Sequence, residues 1–486
     1  MPILATTIKR GVQVVLGRVT DGVTRGVESL VAGVSGALFE PVIRLGVTGL
    51  SRAGKTVFIT SLVANLLDRG RMPQFRAASR IDAAFLQPQP DDTLPRFDYE
   101  GHLAALTGAK PQWPDSTRAI SELRLSLRVR PDGFLRGLIG GVTGPRTVHL
   151  DIIDYPGEWL LDLSLMGKTY ADWSEATLAR IAPRPEAADF MAIARAEDGA
   201  QRLDEGRAQA LAASFTGYLQ AARKAGWSDC TPGRFLLPGD LAGSPVLTFA
   251  PLPRPGQMPR GSLWREMDRR FEAYKSHVIH PFFRDHFARI DRQIVLMDVL
   301  GAIHAGPPAL EDLRRTMAEV LTAFRPGQNG FLSQLLLGKR VDKILFAATK
   351  ADHLHHSQHP RLTAITQALL REAADRAAFS GAGVQAMSLA ALRATVEETR
   401  DHGGRSLDLV RGTLLDSGKQ AAMYAGALPD DPAHLLTAAR SGQAAWLDAD
   451  YSVMAFAPAR LTLRPGDGPP HIRLDRAAEF LLSDRL

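Results

Sequence analysis

Residues 42–47 (Val-Ile-Arg-Leu-Gly-Val) are apolar at almost every position, and residues 57–67 then carry Phe58, Leu62 and Leu66 at helical spacing. The first run predicts a short buried strand, the second a helix with one apolar stripe. Residues 122–130 alternate strictly, with Leu123, Leu125, Leu127 and Val129 against Glu122, Arg124, Ser126, Arg128 and Arg130. That pattern predicts a half-buried strand with one wet face, usual for an antiparallel edge. A glycine-rich connection (Gly137, Gly140, Gly141, Gly144) leads to a second strand at 147–154. Nearly continuous apolar runs at 292–300 and 341–348 read as strands buried on both faces, with a helical pattern at 309–324 between them. A last short strand is expected at 384–387. The whole predicts an α/β core with a mostly parallel sheet.

Other segments interrupt or extend this core. About 130 residues after Trp159 have mostly helical spacing (175–181, 208–225, 263–278), broken by Pro232, Pro238, Pro251, Pro253, Pro255 and Pro259. They read as a helical insertion. The tail is expected to hold helical stretches after residue 396, an alternating run at 453–463, a turn at 465–470 and a final helix at 475–482. At the start, Val12, Leu16, Val19, Val23, Val27, Leu30, Val34 and Leu38 draw one stripe on a helix that six glycines weaken. Such a helix needs a cover: the protein's own body, or a membrane or protein partner. The resulting divisions are 1–40 (amphipathic helical segment), 41–160 (first part of the core), 161–290 (insertion), 291–395 (second part) and 396–486 (accessory α+β region).

At 486 residues, two or three compact units are expected. The net charge of +6 permits contact with nucleic acid or anionic lipid without arguing for either. Cys230 is the only cysteine, which excludes an internal disulfide and suits a reducing compartment. With neither a leader pattern nor a long apolar run in the sequence, the expected location is the cytoplasm, with a peripheral place at the inner membrane open.

Chemistry enters at Gly49-Leu50-Ser51-Arg52-Ala53-Gly54-Lys55-Thr56, which fits G-x-x-x-x-G-K-[ST] between a strand and a helix. Backbone N–H groups of Ser51, Arg52, Ala53, Gly54, Lys55, Thr56 and Val57 would wrap a nucleotide's phosphates. Lys55 would place its charge between the β- and γ-phosphates, and the Thr56 hydroxyl would ligate Mg²⁺. The strand at 147–154 ends in Asp154-Tyr155-Pro156-Gly157, a D-x-x-G element. Asp154 would hold Mg²⁺ and the Gly157 N–H would sense the γ-phosphate. The strand at 341–348 ends in Thr349-Lys350-Ala351-Asp352, a variant of N-K-x-D. A carboxylate at 352 can accept from both N1–H and the exocyclic amine of guanine, which adenine does not match. Lys350 would lie along the base, with His353 beside it.

In combination these elements resemble the Ras-like GTPase superfamily and, more closely, the bacterial YcjX-like family of P-loop GTPases. Leu45 to Thr56, Trp113-Pro114-Asp115-Ser116-Thr117-Arg118, Asp154 to Trp159, Asp291 to Leu296 and Ala348 to Asp352 carry the closer likeness. The resemblance implies a Ras-like G domain with large insertions, GTP/GDP and Mg²⁺ as ligands, and a membrane-protein partner. It also implies a stress- or envelope-related role; nucleotide-dependent self-association is a further expectation, and no nucleic-acid partner is expected. Family order places the first switch in the long segment 73–118. There Thr117 would bind Mg²⁺ and read the γ-phosphate, with Ser116 beside it; Arg118 would reach phosphate and Trp113 would stack on base or ribose, or either would serve a structural role. Ser388-Leu389-Ala390 sits where G proteins carry S-A-K, whose backbone fixes the guanine O6; the Ala and Lys are not at their usual places.

Two departures bear on mechanism. Many Ras-like enzymes place Gln directly after D-x-x-G to orient the attacking water; here Glu158 stands there, so slow hydrolysis is expected. Arg52, within the loop, is either a built-in arginine finger or a structural Arg. The rivals to a GTPase are a guanine-nucleotide scaffold with negligible hydrolysis and an ATP-dependent P-loop enzyme. The histidines at 353, 355, 356 and 359 have no Cys nearby and read as a solvated loop.

Overall fold

The computed structural model describes residues 40–50, 52–115, 119–130, 145–322, 341–378, 382–442 and 452–486. The N-terminal segment to residue 39, Ser51, the Ser116-Thr117-Arg118 tripeptide and the glycine-rich connection lie outside them.

Strand β1 (Val42–Gly49) is central in a seven-stranded sheet that also contains β2 (Ile81–Gln87), β3 (Ser121–Val129), β4 (Arg146–Asp154), β5 (Arg292–Met297), β6 (Lys343–Ala348) and β7 (Gly383–Ser388). The order is β2-β3-β4-β1-β5-β6-β7. The five strands from β4 to β7 pair in parallel, and β2 and β3 add an antiparallel edge. The expected mostly parallel α/β core is present.

The continuous apolar runs are explained by burial on both faces. Ile294, Leu296, Leu345 and Ala347 face one core with Phe58, Leu62 and Leu66 of α1 (Lys55–Leu67). Val295, Met297, Ile344 and Phe346 face the other, where Leu310, Leu313 and Met317 of a helix at Pro307–Thr322 and Leu362, Ile365 and Leu369 of another at His359–Ala378 pack. The inserted helices, Tyr170–Ile181, Glu205–Ala225 and Leu263–Tyr274 among them, join this second core through Trp173, Phe215 and Phe271.

Two expectations need correction. The alternating strand β3 is not an edge, because β2 pairs outside it. Its polar side chains are met by neighbours: Arg124 bonds both oxygens of Asp151 at 2.6 and 2.8 Å, and Ser126 Oγ bonds Gln87 and His149. Alternation reports which side chains are polar; it is silent about what covers them. The long segment 73–118, where the first switch is expected, holds β2 and a helix at Tyr99–Thr107 whose N-terminus Asp98 caps through the Gly101 N–H. In the tail, residues after 396 first form β8 (Val396–His402), β9 (Arg405–Thr413) and β10 (Gln420–Met423), an antiparallel sheet not expected there, and helix begins only at Pro432–Ser441. Gly403 and Gly404, at φ of 60° and 75°, make the two-residue turn between β8 and β9. Residues 453–463 form no strand of this sheet: Phe456 makes an isolated bridge to Leu414, and the Ala457 N–H donates to the Thr413 carbonyl of β9 at 2.8 Å.

The chain's end closes back on the main sheet. Gly70 donates to the Gly466 carbonyl and Gly468 to the Asp68 carbonyl. The final helix, Leu474–Leu482, places Leu474, Ala477, Ala478 and Leu481 in the α1-side core. Arg292, fully buried at the start of β5, clasps it through the Leu481 carbonyl and Asp484, with Asp342 as a further partner.

Candidate functional site

The site's phosphate loop, D-x-x-G element and T-K-x-D element follow the carboxyl ends of the parallel strands β1, β4 and β6, where an open α/β sheet binds ligands. From Gly49 the chain turns through Leu50–Gly54 into α1. Arg52 and Gly54 take left-handed backbone conformations (φ 64° and 79°), and the Ala53 N–H bonds the Leu50 carbonyl at 3.0 Å. The first turn of α1 has no acidic residue, so the helix's positive end and Lys55 act together on whatever enters the loop.

Asp154 ends β4 opposite Val47 of β1, 1% exposed, which sets a carboxylate below the loop. Thr56, also buried, is the second residue of α1. Gly157 follows, and only glycine fits: a Cβ there would stand 1.8 Å from the Gly49 carbonyl oxygen and 3.2 Å from the Leu50 nitrogen. The D-x-x-G element therefore rests directly on the phosphate loop.

A cavity of about 580 Å³ opens over the loop, within the usual range for small-ligand sites. Arg52, Ala53, Gly54, Lys55, Thr56 and Val57 form its floor. Trp113, Lys350, Asp352 and His353 stand in the opposite wall. Lys350 is a left-handed residue (φ 60°) whose ammonium pairs with Asp298, just past the end of β5. Asp352 is buried, and its Oδ2 accepts the Ala394 N–H at 2.8 Å, one bond of the several a carboxylate can take. The His353 ring meets Phe456 edge-on at 5.3 Å, and burial pulls its pKa below the ordinary value.

Not every expected residue is in this cavity. Ser51, Ser116, Thr117 and Arg118 lie outside the described residues. Ser388 is fully buried at the end of β7, where its Oγ bonds the His359 carbonyl at 3.1 Å and Thr363 at 2.9 Å while Arg473 donates to it at 2.8 Å. It serves packing, and Ala390, Ala391 and Leu392 form that part of the wall instead.

Sequence reasoning missed two features. Arg223, in the last turn of the inserted helix Glu205–Ala225, lines the cavity and holds Glu158 at 2.9 Å. The Arg52 guanidinium reaches the neighbouring Lys224 carbonyl at 3.5 Å. Nothing in a helical repeat marks which of its last residues will meet a distant loop. The other feature is the tail: Leu415, Ala455 and Phe456 complete the wall, and the Trp113 indole N–H donates to the Phe456 carbonyl at 2.8 Å. These partners are 343 positions apart in the chain.

Below Glu158 the second element is anchored in the insertion. Asp162 accepts the Gly233 N–H at 2.7 Å and the Tyr274 hydroxyl at 2.5 Å; burial pushes its pKa up to about 7 against these bonds. A Cβ on Gly233 would stand 2.1 Å from the Glu158 carbonyl oxygen, so the two segments pack backbone to backbone.

A glycine-rich loop entering a helix from the central strand, an aspartate at the next strand end and a Thr-Lys-x-Asp wall across the cavity define a Ras-like P-loop α/β domain with additional helices. The chain belongs to the YcjX-like family, DUF463, whose family model matches residues 43–486. It is 37% identical over 461 residues to the Ras-like GTPase YcjX of Escherichia coli (strain K12), an overlap covering 91% of this chain and 96% of that protein. It is 33% identical over 474 residues to the Ras-like GTPase YcjX of Shewanella oneidensis, covering 91% of this chain and 94% of that one. Among the described residues no helix is long and apolar enough to cross a membrane.

Proposed function

We propose that this protein binds GTP with Mg²⁺, hydrolyses it slowly and changes conformation between its GTP and GDP forms. The observation that carries the reading is that the phosphate loop and the Lys350–Asp352 wall face one cavity. The names of the two relatives agree with it.

The residues fit such a ligand. Lys55 and the N–H groups at the start of α1 bind the phosphates, and Thr56 and Asp154 hold the ion, Asp154 through water, with Thr117 completing the set. Mg²⁺ there would offset the negative charge gathered on the β- and γ-phosphates. Asp352 selects guanine, with Lys350 and Trp113 flanking the base. The Gly157 N–H reads the γ-phosphate, and because Gly157 touches Gly49 and leads into Glu158, Asp162 and the insertion, loss of that phosphate reaches the inserted helices. Arg52, beside the phosphates, stabilises charge developing in the transition state.

One observation favours a second reading, a guanine-nucleotide scaffold with negligible hydrolysis. Glu158 occupies the water-orienting position as a carboxylate already paired with Arg223. Single-turnover GTP hydrolysis with Mg²⁺ decides between the two. Competition between GTP and ATP tests both, and an ATP preference sinks the guanine assignment.

A further inference from the structure

His355 and His356 follow the base wall by three and four positions, and the chain pattern alone assigned them to a solvated loop. The structure sets that loop against the β8–β9 hairpin. We propose that His355, His356 and Glu397 form a binding site for a divalent transition-metal ion of the zinc type.

The donor atoms already converge. Glu397 Oε2 lies 2.6 Å from His356 Nδ1 and 3.7 Å from His355 Nε2, and the three ligand atoms fall within 4.8 Å of one another. Tetrahedral bonds of about 2.0–2.1 Å space ligands roughly 3.3 Å apart, so side-chain rotation suffices to close the set. The ion takes the place of the hydrogen bond now made between His356 Nδ1 and Glu397 Oε2.

A second carboxylate prepares the site. His355 Nδ1 faces Asp408 Oδ2 at 3.2 Å and Ser357 Oγ at 2.9 Å. The Ser357 N–H also lies 3.4 Å from Nδ1; with the ion on Nε2, Nδ1 carries the proton and turns it to Asp408, the usual outer arrangement of a metal-bound histidine. Asp408 is itself fixed by Thr399 Oγ1 at 3.1 Å and Ser357 Oγ at 3.3 Å. Arg393 lies 3.3 Å from Glu397 Oε1 and steadies that oxygen, leaving Oε2 to the ion. Glu397, Asp408 and Arg393 together carry one net negative charge toward a dication. Two imidazoles and one carboxylate suit zinc and its neighbours better than Mg²⁺ or Ca²⁺, and three protein ligands leave a position for water. His355 is mostly covered while His356 is exposed (side chains 10% and 69%), which gives the ion an entry path.

The test uses the untagged, nucleotide-free full chain, stripped with chelator and kept in excess Mg²⁺. Titration with Co²⁺ should give one bound equivalent with visible d–d absorption, displaced by Zn²⁺, and Zn²⁺ should raise the melting temperature. Glu397→Gln and His356→Asn, which remove direct ligands, should each weaken binding by at least the roughly 10- to 100-fold that loss of an outer partner costs, while melting like the metal-free parent. His356 is exposed, so its variant keeps the fold and the test stands even if Glu397→Gln does not. No stoichiometric uptake, or uptake unchanged in these variants, overturns the site.

Discussion

Gly157 approaches Gly49 so closely that a Cβ on Gly157 would lie 1.8 Å from the Gly49 carbonyl oxygen. That contact joins the segment that would read a γ-phosphate to the loop that would hold it. Gly157→Ala must therefore push the two apart, and the loop's backbone has no flexible side-chain end to yield. Guanine-nucleotide affinity should fall at least about tenfold, a loss of roughly 1.4 kcal/mol. Titration with a fluorescent GDP analogue measures it; unchanged affinity would show that the loop gives way at no cost.

The Glu158–Arg223 pair predicts coupling between the nucleotide site and the insertion. Glu158 is 5% exposed, and truncating Arg223 leaves its carboxylate buried without that cation. Arg223→Ala should destabilise the protein by about 1–3 kcal/mol, and the double variant Glu158→Gln/Arg223→Ala by less than the two single losses added. Urea unfolding of the four proteins gives the cycle; strict additivity would mean that the pair carries no energy.

The legible and illegible parts of the molecule separate by range. Strand-loop-helix order around Lys55 and the strand ends at Asp154 and Asp352 could be read because each motif and its flanking period lie within about twenty residues. The extra edge strand Ile81–Gln87 was hidden among prolines, and the β8–β9 hairpin was missed although Gly403-Gly404 between two strand-like runs is a hairpin signal. Arg223, Phe456 and the clasp of Arg292 on the final helix depend on contacts between segments far apart in the chain. Periodicity carries no record of these.

Arg52 allows a catalytic role to be separated from a structural one. Its φ of 64° costs an L-residue roughly 1 kcal/mol that glycine does not incur. Arg52→Gly should thus be neutral or slightly stabilising in thermal unfolding, yet lower single-turnover GTP hydrolysis about tenfold or more. If both Arg52→Gly and Arg52→Ala retain full turnover and full affinity, Arg52 takes no part in the chemistry.

Asp352 sets base choice in the proposed function. Asp352→Asn replaces one acceptor oxygen with a donor amide, which loses the match to the N1–H and amine of guanine. It gains a match to xanthine, whose 2-position is a carbonyl. GTP affinity should drop by about two orders of magnitude while xanthosine triphosphate binding rises. Because the Ala394 N–H can still bond the remaining oxygen, the wall should keep its shape. Equal losses for both nucleotides would point to collapse of the wall instead.

Stability should depend on pH through two buried acids. Burial raises Asp162 to about 7, and it raises Glu122 to about 7 with help from the nearby Asp151 and Asp91 charges. In an unfolded chain such groups titrate near pH 4, so between about pH 4 and 7 the folded protein holds protons that the unfolded one has released. Their contribution is fully present below the unfolded values and is lost as pH rises toward 7. The half-buried His286 and His353 and the buried His359 work the other way, since desolvation lowers their pKa and favours the fold as they lose protons. The total slope therefore mixes opposing terms, and the difference between parent and variant isolates one. Asn at 162 imitates the protonated acid and keeps an oxygen for the Gly233 N–H. Asp162→Asn should gain stability relative to the parent as pH rises from about 5 to 7, with the difference level above that range. Urea midpoints at a series of pH values measure it, and a difference that does not change with pH would mean that Asp162 is already ionised in the fold.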